Sequence, residues 1–487
     1  MKQIKTDVAV IGGGAAGLAA AVAAAECGAM VTVFEKAAVT GGTGNMGMGL
    51  FAVESRLQRE KMMALTRDEA FRAFMDYTHW RVDARLVRAY IDKSASTIDW
   101  LEQMGVEFFD ATAYFPGSYL TQHVIRGPSG VPKSQASAIM MKVMTDRARE
   151  LGASILLQTP AKKILKEGGR ITGVIAEDIS GDDVKANARA VIIATGGFGD
   201  NPEWIKKYTG YDYGRNLFSI RIPGLVGEGL RMAWEAGAAA SEMSMELISS
   251  LPPPFNGRGG TRLELAVFRQ PHLMVNLQGE RFINEAILGN TTFTGNAIAR
   301  QKNSCAFTIF DENTRKYYEE AGLDFPYFLS PLKQVGNIEA NIKLVLDEGC
   351  DCIYVADSLE ELAGKTGINL DGLENTVAEY NRACETGRDE LFHKSYRYLR
   401  TVKQPRFYCG RFIASAYGSL GGIKINHKTE VLDTNNEAIP GLFAAGTDAC
   451  DIYGDSYVFI MPGNTMGFAV NSGRMAGENA AKFALGK

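Results

Sequence analysis

Asp7 to Glu35 reads DVAVIGGGAAGLAAAVAAAECGAMVTVFE, and this stretch decides the fold. Asp7 to Ile11 is a short apolar run of strand type, and Gly12, Gly13, Gly14, Ala15, Ala16 and Gly17 follow it. An alanine-rich helix is predicted to about Glu26, then a second strand from Val31 to Phe34 that ends in Glu35. Strand, GxGxxG, helix, strand and acid in that order describe a βαβ unit that holds a dinucleotide. Gly12 permits the tight turn, Gly14 lets backbone approach a pyrophosphate, and Gly17 lets helix pack on sheet. The helix N-terminus then faces the phosphates, and Glu35 can accept from ribose hydroxyls.

A second glycine loop, GGTGNMGMG at 41–49, comes directly after this acid. A loop so poor in side chains, placed there, lets backbone N–H groups approach the same ligand. Further on, Arg67 to Phe109 shows apolar positions at helical spacing, and Ile139 to Leu151 reads as another helix. Short strands are expected from Ser154 to Ala194, and the last of them runs into Ala194-Thr195-Gly196-Gly197-Phe198-Gly199. From Ser241 to Val355 the character changes, with Pro252-Pro253-Pro254, a glycine-rich turn at 257–260, a strand at 273–277 and helices near 311–321 and 337–348. This segment is expected to form a second, smaller domain. A helix over 369–384 follows, and the cofactor theme returns in Ile439 to Gly446 and in a helix opened by Pro462-Gly463-Asn464-Thr465-Met466.

Composition narrows the function classes. Of 487 residues 46% are hydrophobic and 22% charged, which suits a globular chain of two to four domains. The 52 basic and 56 acidic residues give a net charge of -4, so nothing recommends nucleic acid or an acidic membrane surface. The longest apolar run, Leu18 to Ala25, is too short for a membrane span. The strand pattern begins within six residues of Met1, so no secretory leader is expected. The seven cysteines form no CxxC pair, and a reduced, cytoplasmic setting is the expectation. Cys350-Asp351-Cys352 is too tightly spaced for the usual zinc loop, so no metal is expected.

Taken together, the motifs resemble the FAD-dependent flavoprotein family of fumarate reductases and succinate dehydrogenases. That family also contains urocanate reductases, 3-ketosteroid dehydrogenases and enoate reductases. The resemblance runs through VAVIGGGAAGLAAA with Glu35-Lys36, GGTGNMGMG, IIATGGFG (192–199) and GLVGEGLRMAWEAGA (224–238). It continues in MVNLQGERFINE (274–285), IPGLFAAG (439–446) and PGNTMGFAVNSGRMAGENAA (462–481). It implies an α/β fold in which a discontinuous, Rossmann-like FAD-binding domain, 1–240 plus 356–487, carries an inserted α+β capping domain, 241–355.

It also implies cofactor contacts. Gly12, Gly14, Ala15, Ala16, Gly17, Glu35 and Lys36 would hold the pyrophosphate and ribose. Gly42, Thr43, Gly44, Asn45, Met46, Gly47, Met48 and Gly49 would run along the flavin. Ala161 would meet the adenine side, and Ala194, Thr195 and Gly196 the phosphates. Glu228 stands where relatives carry the acid of a TGDG turn, and Gly446, Thr447 and Asp448 form the next turn. Asn464, Thr465 and Met466 would present a helix N-terminus to the flavin N1/O2 edge, where reduction builds negative charge. No histidine occurs in 41–49, the place where some relatives tether FAD, so the FAD is expected to be non-covalent.

Members that reduce dicarboxylates hold substrate with a His/Arg set and use an arginine as proton donor. Counted onto this chain, those positions are Gly289, Gly418, Tyr457 and Leu251. A dianion cannot be buried without paired donors, so fumarate reduction is not expected. Tyr457, Phe459, Met461, Leu251, Tyr417 and Tyr453 suit instead a flat, mostly apolar ring substrate with one or two oxygens. The expected reaction is hydride transfer between flavin N5 and a hydrophobic, aromatic or polycyclic small molecule. Isoflavonoid reduction of the tetrahydrodaidzein-to-equol type is the specific expectation. Alternatives are a 3-ketosteroid dehydrogenase or enone reductase, a flavoprotein subunit of an electron-transfer complex, and a flavin protein without turnover. Tyr457 is the first candidate proton donor, then Tyr417 and His123, then Arg269 and His272. Electrons are expected from outside the chain, from NAD(P)H or an electron carrier.

Overall fold

At the centre of the protein, strand Val8–Ile11 pairs in parallel with Val31–Phe34 on one side and Ala190–Ile193 on the other. Ser154–Leu156 and Ala438–Ala444 extend this parallel sheet outward, and Glu430–Leu432 closes one edge in antiparallel fashion. The computed structural model describes residues 2–127, 136–252, 263–325 and 336–487. The proline and glycine turns expected at 253–254 and 257–260 lie outside the described residues.

The register brings the ligand loops to one edge. Ile11 is level with Phe34 and with Ile193, and Ile193 is level with Ala444. The turns at Gly12, Glu35, Ala194 and Ala445 therefore leave the sheet side by side, where open α/β sheets bind ligands. Alternation along the strands divides the core in two. Val8, Val10, Val31, Val33 and Ile192 pack against the helices on one face. Ala9, Ile11, Phe34, Val191 and Ile193 belong to the core on the other, shared with a four-stranded sheet built from Lys2–Lys5, Asp183–Asn187, Arg170–Glu177 and Ala161–Glu167.

The opening helix, Ala15–Glu26, has almost no side-chain bulk, and the closing helix, Asn464–Leu485, lies directly on it. A Cβ at Gly473 would come within 2.2 Å of Ala16 O, and one at Gly477 within 2.3 Å of Ala20 O. The backbones touch because these four positions are glycine and alanine. The two helices run the same way, and with Ala16 against Gly473 the closing helix begins about 12 Å beyond the first turn of the opening one.

The second region holds a mixed sheet centred on one long, buried strand, Phe407–Gly422. Cys305–Asp311, Ser244–Ser250 and Ile353–Ala356 pair with it antiparallel, Phe218–Ser219 pairs parallel, and Leu273–Val275 adds to Cys305–Asp311. The expected limits of 241–355 thus leave out the strand at the sheet's centre. Strands with buried edges need partners, and the chain supplies them from 218–219 and 407–422. The far end of the long strand pairs with Ala449–Cys450, so one continuous strand links the two regions. Among the described residues, no helix is long and apolar enough to cross a membrane.

Candidate active site

The three glycines after Ile11 do different work. Gly12 has φ +100°, and a Cβ there would lie 2.3 Å from Ala194 O. A Cβ on Gly17 would fall 1.9 Å from Gly12 O, so turn and helix fix each other. At Gly14 the nearest atom to a Cβ is Gly41 O, 3.9 Å away. The protein itself leaves that space open, beside the first amides of the helix, and a pyrophosphate oxygen fits it.

The flanking groups fit the same ligand. Glu35 Oε2 accepts from Gly13 N at 2.6 Å and Oε1 from Ala37 N at 2.7 Å, leaving each oxygen a lone pair for a sugar hydroxyl. Ala161 follows Thr159, whose amide donates to Glu35 O at 2.8 Å. Lys36 Nζ donates to Glu228 Oε1 at 2.8 Å and to Gly224 O, so these two expected contacts form one ion pair. Thr43 Oγ1, in the 3₁₀ turn Gly42–Met46, is buried with no partner among the described residues. Met466 packs on the glycine loop, its Cε 2.4 Å from where a Gly47 Cβ would be. The closing helix therefore starts against the segment expected along the flavin.

Two of the expected contacts are engaged within the protein. Asp448 is fully buried and accepts from Gly197 N at 2.9 Å, Gly196 N at 3.2 Å, Thr195 N and the Thr195 hydroxyl. Its carboxylate shapes the 195–197 turn and does not face a ligand. Asn464 accepts from Tyr90 Oη at 2.9 Å and donates to Val458 O at 3.0 Å and Met461 O at 2.6 Å. Its side chain ties down the 458–461 loop and its carbonyl accepts from Tyr453 Oη at 2.9 Å, which leaves its backbone N–H for any ligand.

Past this helix N-terminus stands an aromatic wall. Tyr457, 3% exposed, lies 5.2 Å from the Tyr453 ring and 5.7 Å from that of Phe459, while Phe459 meets Tyr114 at 4.7 Å and Phe115 at 5.5 Å. A Cβ on Gly289 would lie 2.8 Å from Phe115 Cβ, so this wall closes the place where an arginine was counted. The Tyr457 hydroxyl accepts from Thr465 N at 3.0 Å. The Thr465 hydroxyl in turn donates to Glu246 Oε1 at 2.6 Å. Position 418 has no side chain. A Cβ there would lie 3.2 Å from Glu246 Oε2 and 3.4 Å from Arg221 Nη1, so acid and guanidinium flank the empty position. Burial raises Glu246 to about 7, against the pull of Thr465 and Arg221. Burial, reinforced by the charge of Glu246, also lifts the Tyr457 phenol far above its ordinary range and keeps it neutral.

A sequence profile described as the FAD binding domain matches residues 7–459. The chain belongs to the FAD binding domain family. The vinyl phenol reductase of Lactiplantibacillus plantarum is 34% identical over 492 residues, covering 99% of this chain and 97% of that protein. The fumarate reductase (cytochrome) of Shewanella frigidimarina is 29% identical, over 98% of this chain and 77% of that one. Among solved structures, the open conformation of a flavocytochrome c3 fumarate reductase is similar with TM-score 0.72 and 26% identity, covering 99% of this chain and 79% of that one. A 3-ketosteroid delta1-dehydrogenase from Sterolibacterium denitrificans shares the fold, with TM-score 0.79 at 21% identity over 99% of this chain and 100% of that one. The protein is a FAD-dependent oxidoreductase of the fumarate reductase type.

Within this family member, the structure brings Tyr457 and Tyr417 together, Tyr417 lying next to Gly418 and adding to the upward push on the Tyr457 phenol. It removes the histidines from the list of acids. His123 is fully buried on strand Gln122–Ile125, its Nε2 2.6 Å from Ser55 Oγ and its Nδ1 3.0 Å from Thr121 O. Both nitrogens are satisfied, and burial lowers the ring to about 4, so it stays neutral. His272 stacks on Phe310 at 4.4 Å in the core of the second region, with Nε2 2.7 Å from Val267 O, and burial lowers it to about 3. Arg269 ends the 3₁₀ segment Leu263–Arg269, with no described contact to the tyrosine group. Glu246, Arg221 and Phe115 are the residues that sequence reasoning missed. The signal for the first two was a single charge inside a short, largely apolar run, MELIS and SIRIP.

Proposed function

We propose that the protein reduces a phenol-bearing aromatic small molecule, of which a vinyl phenol is the simplest case. The observation that carries this reading is the aromatic wall from Tyr453 to Phe115, which takes the room of an anion clamp at Gly289 and Tyr457. An apolar ring with one hydroxyl matches such a surface, whereas a dianion would be stranded on it. The similarity to a vinyl phenol reductase over 99% of the chain supports the same class. Isoflavonoids of the tetrahydrodaidzein type belong to this class as larger members.

FAD, when bound, supplies the hydride. The residues of the chain then have a proton to deliver, because a vinyl group conjugated to a phenol is not electron-poor by itself. Loss of the phenolic proton to water pushes electron density to the vinyl terminus. Protonation there leaves a quinone methide whose benzylic carbon accepts hydride, and water then returns the phenolic proton. Two observations support Tyr457 as the donor for the carbon protonation. Its oxygen accepts from the Thr465 amide, so its own proton is free to point at a ligand. Burial keeps the phenol in the protonated form that a donor needs. For an isoflavanol, the same proton would go to the departing hydroxyl. Electrons would come from NAD(P)H or a separate carrier.

The test is anaerobic. Holoprotein reduced with dithionite is mixed with 4-vinylphenol, tetrahydrodaidzein, 4-androstene-3,17-dione or fumarate, and the return of oxidised flavin absorbance is timed. Rapid return with a phenol supports the proposal. Faster return with fumarate or the steroid than with either phenol would sink it.

A further inference from the structure

Glu246 is a carboxyl 1% exposed on strand Ser244–Ser250, and neither a salt bridge nor the cofactor cradle accounts for it. One oxygen takes the Thr465 hydroxyl at 2.6 Å, and the Thr465 amide donates to the Tyr457 hydroxyl at 3.0 Å, so one residue touches both the acid and the phenol. Carboxyl, threonine and phenol thus stand in one row ending at the aromatic wall, with Thr465 bonded to both neighbours. The other oxygen faces the open position at Gly418, across which stands Arg221, 3% exposed, with Nε and Nη2 lacking hydrogen-bond partners among the described residues. A buried acid that is to give up a proton needs a nearby cation to steady the carboxylate it becomes, and Arg221 is that cation.

We propose that Glu246 is a positioning residue that stores the proton which Thr465 passes to Tyr457. The inference rests on reading Tyr457 as the donor. In the relay the Tyr457 O–H bond breaks as its proton goes to substrate carbon. The Thr465 hydroxyl, which donates to Glu246 at rest, then turns and gives its proton to the phenolate oxygen, and Glu246 gives its own to Thr465. Three O–H bonds break and a C–H and two O–H bonds form. No electrons move in the relay, and solvent recharges the carboxylate left beside Arg221.

The ionisable groups around Glu246 set when it is loaded. Arg221, in the segment after Phe218–Ser219, favours the carboxylate, and Asp200 offsets part of that charge. Tyr457, Tyr453 and Cys450 face it and stay neutral, because burial raises all three. Tyr417 borders the same space from strand Phe407–Gly422. Burial outweighs Arg221 and leaves the acid at about 7, where it can be both filled and emptied.

Infrared titration of the oxidised holoprotein, without substrate, tests the line directly. A protonated-carboxyl C=O band should fade as pH rises through neutrality and be missing in Glu246→Gln. The tyrosine C–O band assigned by its loss in Tyr457→Phe should shift over the same pH range. That shift should persist in Thr465→Ser and vanish in Thr465→Val. In reoxidation by 4-vinylphenol, Glu246→Gln should slow the rate about 10–100-fold and flatten its pH profile near neutrality, with partial rescue in Glu246→Asp. A Glu246 carboxyl that stays ionised down to pH 5, or a Tyr457 band that ignores it, overturns the relay whatever the substrate. If the wild-type protein ignores 4-vinylphenol and tetrahydrodaidzein, the substrate class falls and the infrared result still decides the relay.

Discussion

Phe115 fills the space that a side chain at position 289 would need, its Cβ only 2.8 Å from where a Gly289 Cβ would stand. Glycine at 289 and phenylalanine at 115 are therefore one feature, and an arginine cannot be put back without moving the aromatic wall. Gly289→Arg should give no useful fumarate reduction with reduced viologen as donor, and it should lower stability by about 1–3 kcal/mol through overpacking. Calorimetry and a fumarate assay check the two halves. Brisk fumarate turnover in the wild type would show that an anion clamp exists elsewhere, and in the variant alone it would show that the wall yields to an arginine.

FAD retention should separate two neighbouring glycines. A side chain at Gly14 meets nothing nearer than 3.9 Å in the protein, so Gly14→Val should fold and emerge colourless. Gly17→Val places a carbon 1.9 Å from Gly12 O and should fail to fold. Circular dichroism with a flavin-to-protein ratio distinguishes the cases. The wild-type flavin should leave the protein on acid precipitation. Flavin retained in the pellet would mean a covalent link in a loop that has no histidine at 41–49.

Tyr457→Phe keeps the ring and its contacts at 5.2 and 5.7 Å but removes the acceptor of the Thr465 amide. Fold and FAD content should stay as they are. Turnover of the phenolic substrate should fall about 10²–10⁴-fold, the range for a lost general acid. A loss well under tenfold would reduce Tyr457 to a packing residue and pass the proton to Tyr417.

Stability against pH offers a check that needs no substrate. Glu246 stands at about 7 in the folded protein against 4.5 for the free side chain, so the folded state holds the extra proton between these values. Stability from this group is present below 4.5, falls as pH rises through the window, and is gone above 7; the change is on the order of 3 kcal/mol. His123 works in the opposite sense over an overlapping range, because burial lowers it from 6.5 to about 4 and stability is lost as pH falls. The difference between wild type and Glu246→Gln isolates the acid. Glu246→Gln should lose its disadvantage, or overtake the wild type, as pH rises from 5 to 8. A parallel pair of denaturation curves would refute the shift.

The cofactor half of the site was legible because its chemistry is local. Gly12, Gly14, Gly17 and Glu35 lie within one βαβ unit, and their spacing carries the geometry. The long strand Phe407–Gly422 was not legible, since Gly410, Gly418, Gly421 and Gly422 argue against a strand. The structure explains three of them: Phe268 lies 2.8 Å from a Cβ at Gly410, Glu242 O 1.9 Å from one at Gly421, and Asp448 O 2.5 Å from one at Gly422. The acid at 246 was missed because its partners, Arg221, Thr465 and the gap at Gly418, come from distant parts of the chain. His123 misled for the converse reason. Its residue type suggested proton transfer, and only its partners, Ser55 and the Thr121 carbonyl, reveal a bolt inside a wall.

The contact of Ala16 and Ala20 with Gly473 and Gly477 has a further consequence. It works as a caliper, with one jaw at the amides after Gly14 and the other at those after Gly463. A single methyl group added at Gly477, between three and four turns down the closing helix, would open both jaws together. Grip on the phosphates and the electrical setting around the redox ring are therefore not separately adjustable in this chain. Any lineage that retunes one must accept a change in the other, or make its adjustment in the side chains beyond the seam, at Tyr457 and Glu246.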